Sequence, residues 1–270
     1  MPKKIEYLFL LIFIISLGVG IYIFVDSRRV EIPQHVLDNW RLQETTTTIP
    51  PETTAPPEVT ITYTEPETTM PPEDLPPPRE LLPRIVQLRE HYNNPDIVGF
   101  IYIPNTNISY PVVQAECNDF YLYFNLHWQH SNHGSIFLDY INDLHSLADD
   151  NTIIYGHNMR DGSKFHNIRH FQNEAYFRAR PYIFLDTAYE ETVWEIFSFI
   201  RTHINFDYLT PNFGTRAAYL EFQRELQRRS HHTTDIVLYP TDQILILSTC
   251  VSVLADVNYR YILVARLVRP

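Results

Sequence analysis

The sequence predicts a mainly β fold of the barrel or sandwich type, in a chain of 270 residues. Short runs of β-branched and aromatic residues recur from residue 97 onward, and turn-forming residues separate them. These runs do not alternate regularly with helical segments, which disfavours a parallel α/β sheet. Hydrophobic residues make up 44% of the chain, which is enough to supply the core of one or two domains.

The spacing of apolar residues predicts the individual elements of this fold. Residues 80–92 have apolar side chains at helical spacing, and residues 213–229 place Tyr219, Phe222 and Leu226 on one helical face. The predicted strands are residues 98–103, 110–113, 135–138, 152–155, 182–185, 192–202, 236–238, 244–247 and 261–267. The pattern therefore consists of many short strands, one N-terminal helix and one long internal helix.

The N-terminal segment has a different character. Residues 7–25 contain no charged side chain, and at about 1.5 Å per residue a helix of this length can span a bilayer core. Lys3 and Lys4 favour an N-terminus inside the cell, although Arg28 and Arg29 on the other side oppose that orientation. We interpret residues 1–5 as a short cytoplasmic N-terminus and residues 6–25 as a single-pass transmembrane anchor. A cleaved signal peptide is the alternative, but the apolar run is long and no small-x-small cleavage site follows it.

Residues 26–80 predict a disordered extracellular stalk. Proline, threonine and glutamate dominate this segment, and it lacks the apolar surface needed to offset the entropy of ordering. Proline-rich chain is extended and semi-rigid, at about 3.1 Å per residue. We therefore expect the stalk to hold a domain formed by residues 81–270 outside the cell membrane.

Charge and cysteine content exclude several classes of function. A net charge of −11 at pH 7 argues against nucleic acid as a partner. Two cysteines are too few for a disulfide framework, although one bridge between Cys117 and Cys250 is possible. The histidines of HWQHSNH at residues 127–133 lack a carboxylate or cysteine that would complete a metal site. We expect a solvated loop there, and no metal or cofactor.

Three residues at the edges of apolar runs suggest covalent catalysis. Cys250 follows the run at residues 244–247, Arg260 precedes the run at residues 261–267, and His157 follows another β-branched run. A cysteine, a distant histidine and a fixed cation form a plausible set for nucleophilic catalysis. The alternative is a small buried cysteine and a surface histidine. Small polar neighbours favour the catalytic interpretation, Ser248 and Thr249 before Cys250 and Gly156 and Asn158 around His157, since such strand ends are common at active sites.

Sequence motifs around these residues resemble those of a known family. ILSTC at residues 246–250 corresponds to the motif Thr-Leu-x-Thr-Cys, with isoleucine in the first position, and Arg260 follows Cys250 by ten residues. Further motifs are YGHNMRDGSKF at residues 155–165, IPNTNISYPVVQ at residues 103–114 and GSIFLDY at residues 134–140. With these motifs in this order, the chain resembles the class B sortases, which are cysteine transpeptidases of Gram-positive cell surfaces. The resemblance extends over about residues 81–270.

The resemblance implies a more specific fold than the strand pattern does. We expect a closed, sortase-type β-barrel of eight strands with an N-terminal helix and a long helix between strands six and seven. It also implies that residues 81–270 are a catalytic domain.

The reaction implied by the resemblance is transpeptidation. Cys250 would attack the carbonyl of a threonine in the C-terminal sorting signal of a surface protein and form a thioacyl intermediate. An amine of a peptidoglycan precursor or wall peptide would then receive the acyl group. His157 would act as the general acid and then the base, and Arg260 would hold the carbonyl or the oxyanion.

The resemblance also indicates residues that would line the substrate groove. Asn118 and Leu122 match an asparagine and a leucine that stand four apart in the family. Ser248 and Thr249, from the cysteine motif itself, complete the expected substrate-binding set.

Other functions remain as alternatives. The same chemistry would allow a pilin-polymerising sortase. A cysteine L,D-transpeptidase usually has glycine before its cysteine and arginine two residues after it, where this chain has Thr249 and Ser252. A non-catalytic surface-binding module is disfavoured because all three catalytic residue types are present.

Overall fold

Eight strands form a closed barrel in the computed structural model, which describes residues 79–144, 148–252 and 256–268, with only the backbone described for residues 250–252, 256 and 257. The order of strands around the barrel is β1-β2-β3-β4-β7-β8-β6-β5, and β5 pairs with β1 to close it. The strands are β1 Ile97–Tyr102, β2 Ser109–Val113, β3 Ile136–Leu138, β4 Asn151–Tyr155, β5 Tyr182–Asp186, β6 Glu191–His203, β7 Ile244–Ser252 and β8 Asp256–Val268. The predicted eight-stranded barrel is confirmed.

Four α-helices and one 3₁₀ helix accompany these strands in the described residues. They are α1 Pro83–Tyr92, α2 Phe120–Tyr123, the 3₁₀ helix His166–Gln172, α3 Glu174–Arg178 and α4 Arg216–Arg228. The predicted N-terminal helix begins three residues late, because Pro83 occupies its first turn, where a missing N–H costs nothing. The predicted long helix lies between β6 and β7 as α4, and the Thr215 side chain caps it by accepting from the N–H of Ala218.

Three clusters of apolar side chains make up the core of the barrel and its outer covering in the described residues, and one of them packs α1 against β1, β2, β3 and β5. The interior layer takes residues from all eight strands, among them Ile101, Trp194 and Leu245. On the outside, Tyr219 and Leu226 of α4 pack in a separate layer with strand residues of β4, β6, β7 and β8. Because β7 has an apolar layer on each face, residues 244–247 read as one continuous apolar run.

One predicted strand is wrong. Residues 236–238 form no strand, and their carbonyl groups accept from side chains instead: Ile236 from Gln227 Nε2 and Val237 from Arg266 Nη1, both at 2.8 Å. A closed barrel offers no free strand edge with which this segment could pair. Helices α2 and α3 were not predicted, because four or five residues are too few to show a helical period.

The membrane anchor predicted at residues 6–25 and the stalk predicted at residues 26–80 lie outside the described residues, apart from positions 79 and 80. Within the part of the chain that the structure describes, no helix has both the length and the apolar character needed to cross a bilayer.

Candidate active site

Three neighbouring strands bring the candidate catalytic residues to one level of the barrel. β4 pairs in parallel with β7, with Tyr155 opposite Ser248. The pairing continues for one more hydrogen bond, which the N–H of Gly156, the residue before His157, donates to the carbonyl of Ser248. β7 pairs antiparallel with β8, and Cys250 lies directly opposite Arg260. The backbone therefore places His157, Cys250 and Arg260 at adjacent positions across β4, β7 and β8.

The two long strands extend past the apolar runs that predicted them. β7 continues to Ser252, and β8 already begins at Asp256, so Cys250 does not end a strand and Arg260 does not begin one. This detail of the sequence prediction was wrong, because backbone pairing continues beyond the apolar runs of the sequence. The pairing register shifts between Cys250 and Ser252, an irregularity of the kind that often accompanies active sites.

A backbone carbonyl fixes the imidazole of His157. The Nε2 atom lies 2.8 Å from the carbonyl oxygen of Leu122, and the ring is half-buried. A carbonyl can only accept, so Nε2 must carry the proton of this hydrogen bond. In the neutral ring this leaves Nδ1 as the nitrogen that can take up and release a proton. Leu122, predicted to line the groove, thus also contacts the candidate acid–base residue.

The Leu122 carbonyl is itself closely surrounded. Gly134 has φ +53°, and a Cβ at this position would lie 2.5 Å from the Leu122 oxygen. Glycine is the residue that combines this backbone conformation with so close an approach. The predicted motif that begins at Gly134 therefore supports the carbonyl that holds His157.

The guanidinium of Arg260 is half-buried near the same strands. Its Nη1 donates to the carbonyl oxygen of Tyr259 at 3.0 Å. Its positive charge acts on Tyr155, whose pKa it lowers against a larger upward shift. Tyr155 is two residues before His157, so this effect is consistent with the strand register, which brings Arg260 to the same end of the sheet.

The two polar residues before Cys250 are buried. Ser248 and Thr249 are each 3% exposed, and Ser248 Oγ lies 2.9 Å from the hydroxyl of Tyr208, which is also buried. Thr249 Oγ1 has no hydrogen-bond partner among the described residues. Both residues precede the candidate nucleophile directly in β7, and their role in substrate binding stays a prediction.

Asn118 is held by the segment that follows β3. Its Nδ2 donates to Asp139 Oδ2 at 3.1 Å, and its Oδ1 accepts from the N–H of Tyr140 at 3.0 Å. Asp139 Oδ2 also accepts from the hydroxyl of Tyr155 at 2.8 Å. The polar atoms of Asn118 are therefore engaged in contacts that orient its loop, and its contact with substrate stays a prediction.

Three residues near the site had no role in the sequence analysis. Asp139 and Tyr155 lie in the motifs at residues 134–140 and 155–165, which could have identified them as residues near the site. Tyr208 lies in a loop that contains no such motif. Burial, together with the neighbouring Asp139 carboxylate, raises the pKa of Tyr155 far above its usual value. Tyr155 is therefore a neutral donor over the physiological pH range.

Two other sequence predictions concern residues around the site. Cys117 is an exposed free thiol, so it does not form the possible bridge to Cys250. On the 127–133 loop, His130 and His133 are exposed, and His133 Nε2 lies 2.9 Å from the Asp161 carboxylate at the surface.

A groove of about 580 Å³ lies elsewhere, lined by residues that include Glu195, Val237 and Arg266. Arg266 is opposite Ile244, at the other end of the β7–β8 pair, roughly 20 Å along the strand from Arg260 at 3.4 Å per residue. This groove is therefore separate from the candidate active site.

A closed eight-stranded barrel with this cysteine, histidine and arginine arrangement defines a sortase-type cysteine enzyme. The sortase domain model matches residues 101–268, and the chain belongs to the sortase family.

Comparisons with individual proteins are consistent with class B. The chain is 34% identical over 157 residues to sortase B of Listeria monocytogenes, an alignment that covers 58% of this chain and 63% of that protein, just under two thirds. It is 31% identical over 176 residues to sortase B of Staphylococcus aureus, covering 65% and 72% respectively. The solved Staphylococcus aureus sortase B–substrate complex aligns with a TM-score of 0.66 at 29% identity, over 70% of this chain and 87% of that one. The resemblance to class B sortases and the barrel fold are confirmed.

Proposed function

We propose that the chain is a membrane-anchored transpeptidase that cleaves a C-terminal sorting signal after threonine and transfers the protein to a peptidoglycan amine. The observation that carries the proposal is the alignment of His157, Cys250 and Arg260 at one level of β4, β7 and β8. The similar sortase B of Staphylococcus aureus was solved in complex with a substrate, which supports substrate binding by this chain.

In the first step, the Cys250 thiolate attacks the threonine carbonyl carbon, and the carbon–nitrogen bond to the next residue breaks. The leaving amine takes a proton from the imidazolium of His157. This proton comes from Nδ1, because the Nε2 proton is engaged with Leu122. The products are a thioester on Cys250, a free C-terminal peptide and a neutral His157.

In the second step, the acceptor amine attacks the thioester carbonyl. Neutral His157 takes a proton from this amine at Nδ1, a new amide bond forms, and the thiolate of Cys250 leaves. A thiolate is both a strong nucleophile and a fair leaving group, so one residue can serve both steps. The reaction needs neither a metal nor a redox cofactor for its atoms and electrons to balance.

Arg260 would stabilise the oxyanion of each tetrahedral intermediate. The guanidinium presents donors in a fixed planar arrangement, and its Nη1 is oriented by a hydrogen bond to the Tyr259 carbonyl. Asn118, Leu122, Ser248 and Thr249 would line the groove for the residues before the cleaved bond.

The membrane and wall partners in this proposal rest on the sequence. Residues 6–25 would anchor the chain in the cell membrane with the N-terminus inside, and residues 26–80 would hold the catalytic domain on the extracellular side. Surface proteins with a C-terminal sorting signal would be the first substrate, and a peptidoglycan precursor or wall peptide would supply the amine.

The test uses the full chain and a library of peptides that vary around a central threonine. Wild-type protein should cleave some members and accumulate an acyl adduct on Cys250, visible by intact mass spectrometry. Cys250→Ala should lose cleavage and adduct alike, by on the order of 10⁴-fold or more in rate. Cys117→Ala, which removes the exposed thiol, should retain both.

The acceptor is tested by adding amines to the same reaction. Transfer to a peptidoglycan stem or bridge peptide supports the proposed wall attachment, whereas transfer only to a lysine within a second protein would indicate pilin polymerisation. Cleavage that persists in Cys250→Ala would refute the thioacyl mechanism.

A further inference from the structure

Asp139 is a buried carboxylate close to the site that the proposed reaction does not use. It follows β3 directly and is 6% exposed. A buried carboxylate destabilises a fold unless hydrogen bonds compensate for its lost hydration. Asp139 receives three: from the Tyr155 hydroxyl and Asn118 Nδ2 at its Oδ2, and from the N–H of Ile141 at its Oδ1.

Two of these donors belong to the two segments that meet at His157. Tyr155 ends β4 two residues before His157, and Asn118 lies four residues before Leu122, whose carbonyl accepts from His157 Nε2. The Asp139 carboxylate therefore connects the end of β4, which leads to the imidazole, with the segment before α2, the helix that carries the hydrogen-bond acceptor.

We propose that Asp139 is a positioning residue that keeps the Leu122 carbonyl within hydrogen-bonding distance of His157 Nε2, so that Nδ1 remains the proton-exchanging atom. The inference rests on the proposed function for its catalytic meaning. The structural part of the inference, which is that one tautomer of the His157 ring is fixed, can be measured without any substrate.

The chemistry of a carboxylate suits this connection better than that of an amide. One carboxylate oxygen accepts from the Tyr155 hydroxyl and from Asn118 Nδ2 at the same time. An asparagine at this position has a single acceptor oxygen, and its NH₂ group would face a donor if the amide turned over. Asp139→Asn therefore loses at least one of the three hydrogen bonds that Asp139 accepts, and it weakens the others because a neutral amide oxygen is a poorer acceptor than a carboxylate, with almost no change in volume.

A purely structural role for Asp139 predicts a different outcome. If the carboxylate only stabilises the segment after β3, its removal lowers the melting temperature but leaves the His157 ring and the chemical step unchanged. Asp150 provides the matched control, because it is a buried carboxylate, 7% exposed, at the opposite end of β4.

The test combines nuclear magnetic resonance with single-turnover kinetics on the full-length chain. The ¹⁵N signals of the His157 ring, assigned with His157→Gln, separate widely when one tautomer is fixed and approach each other when two tautomers exchange. Wild type and Asp150→Asn should show the fixed Nε2–H tautomer. Asp139→Asn should show exchange, and its acylation rate should fall by about 10- to 100-fold, as expected for a small misplacement of a catalytic group, with KM changed less than threefold.

Two results would overturn the proposal: an unchanged tautomer in folded Asp139→Asn, or an acylation rate within threefold of wild type. If Asp139→Asn does not fold, Tyr155→Phe removes one link alone and should show the same tautomer exchange with a smaller loss of rate. A fixed tautomer in Tyr155→Phe would then refute the inference. If wild type cleaves no peptide, the proposed function fails, while the tautomer measurement still decides whether Asp139 positions the ring.

Discussion

The two ends of the β4–β7–β8 sheet differ in the hydrogen bonds that hold their charged groups. At the end away from the site, Asp150 at the start of β4 binds Arg216 of α4 through two hydrogen bonds of 2.6 Å. At the site end, His157 donates to the Leu122 carbonyl at 2.8 Å and Arg260 to the Tyr259 carbonyl at 3.0 Å. The cation at the far end thus binds a carboxylate, whereas backbone carbonyl groups are the acceptors of these two hydrogen bonds at the site end.

This difference separates groups that stabilise from groups that react. A carboxylate orients a cation and also neutralises its charge, whereas a carbonyl orients it and leaves the charge available. A cation that must stabilise a transient oxyanion is therefore better held by a carbonyl. At the site end, the Asp139 carboxylate accepts hydrogen bonds from two uncharged side chains, those of Tyr155 and Asn118.

The largest effect should follow replacement of His157. His157→Ala removes the acid and base of both steps, so peptide cleavage should fall by about 10²–10⁴-fold without unfolding. The control is His133→Ala, which removes a half-exposed surface histidine and should retain wild-type turnover. Steady-state turnover of the best library peptide measures both variants, and full activity in His157→Ala would remove the acid–base assignment.

A smaller effect should follow Arg260→Lys. Lysine keeps the charge but loses the planar arrangement of donors, so single-turnover acylation should fall by about 10²–10³-fold with a smaller change in peptide binding. Arg201→Lys is the control, because Arg201 lies on neighbouring β6 against the Tyr259 ring. Equal acylation rates in Arg260→Lys and wild type would reduce Arg260 to a structural cation and remove the contrast between the two ends.

The smallest effect on activity should come from the other end. Arg216→Ala leaves the buried Asp150 carboxylate without its cation and should lower the free energy of unfolding by about 1–3 kcal/mol. Arg228→Ala on the same helix loses only exposed contacts with Glu221 and Glu225 and should leave stability unchanged. Denaturant unfolding and peptide turnover are measured together. A loss of turnover in still-folded Arg216→Ala would show that the far end also contributes to reactivity.

The strands that could be predicted are those in which apolar side chains coincide with backbone pairing. β4 and β5 were predicted to within one residue at each end, because turns bound their apolar runs on both sides. The lengths of β7 and β8 were not, because Cys250 and Arg260 are paired through backbone atoms where the apolar pattern has already ended. The segment at 236–238 fails for the converse reason, since its apolar side chains have no strand edge beside them.

The residues of the candidate site also differ in whether the sequence could identify them. Residue type and motif were enough to select Cys250, His157 and Arg260 as candidates. The contribution of Leu122 as a carbonyl could not be selected, because every residue has a carbonyl and this one is 35 positions away from His157. Asp139 lay in a motif, yet only its contacts with Tyr155 and Asn118 indicate what it does.

The sequence by itself determined which side chains can react, since a thiol, an imidazole and a guanidinium have their chemistry wherever they lie. The tertiary structure decided how they are oriented: the register of β4, β7 and β8 aligns them, and the Leu122 carbonyl selects the proton-bearing nitrogen of His157. The physical reason is that hydrogen bonds and strand register depend on distances of tenths of an ångström between segments far apart in the chain. Closure of the barrel sets those distances, and no local pattern of residues contains them.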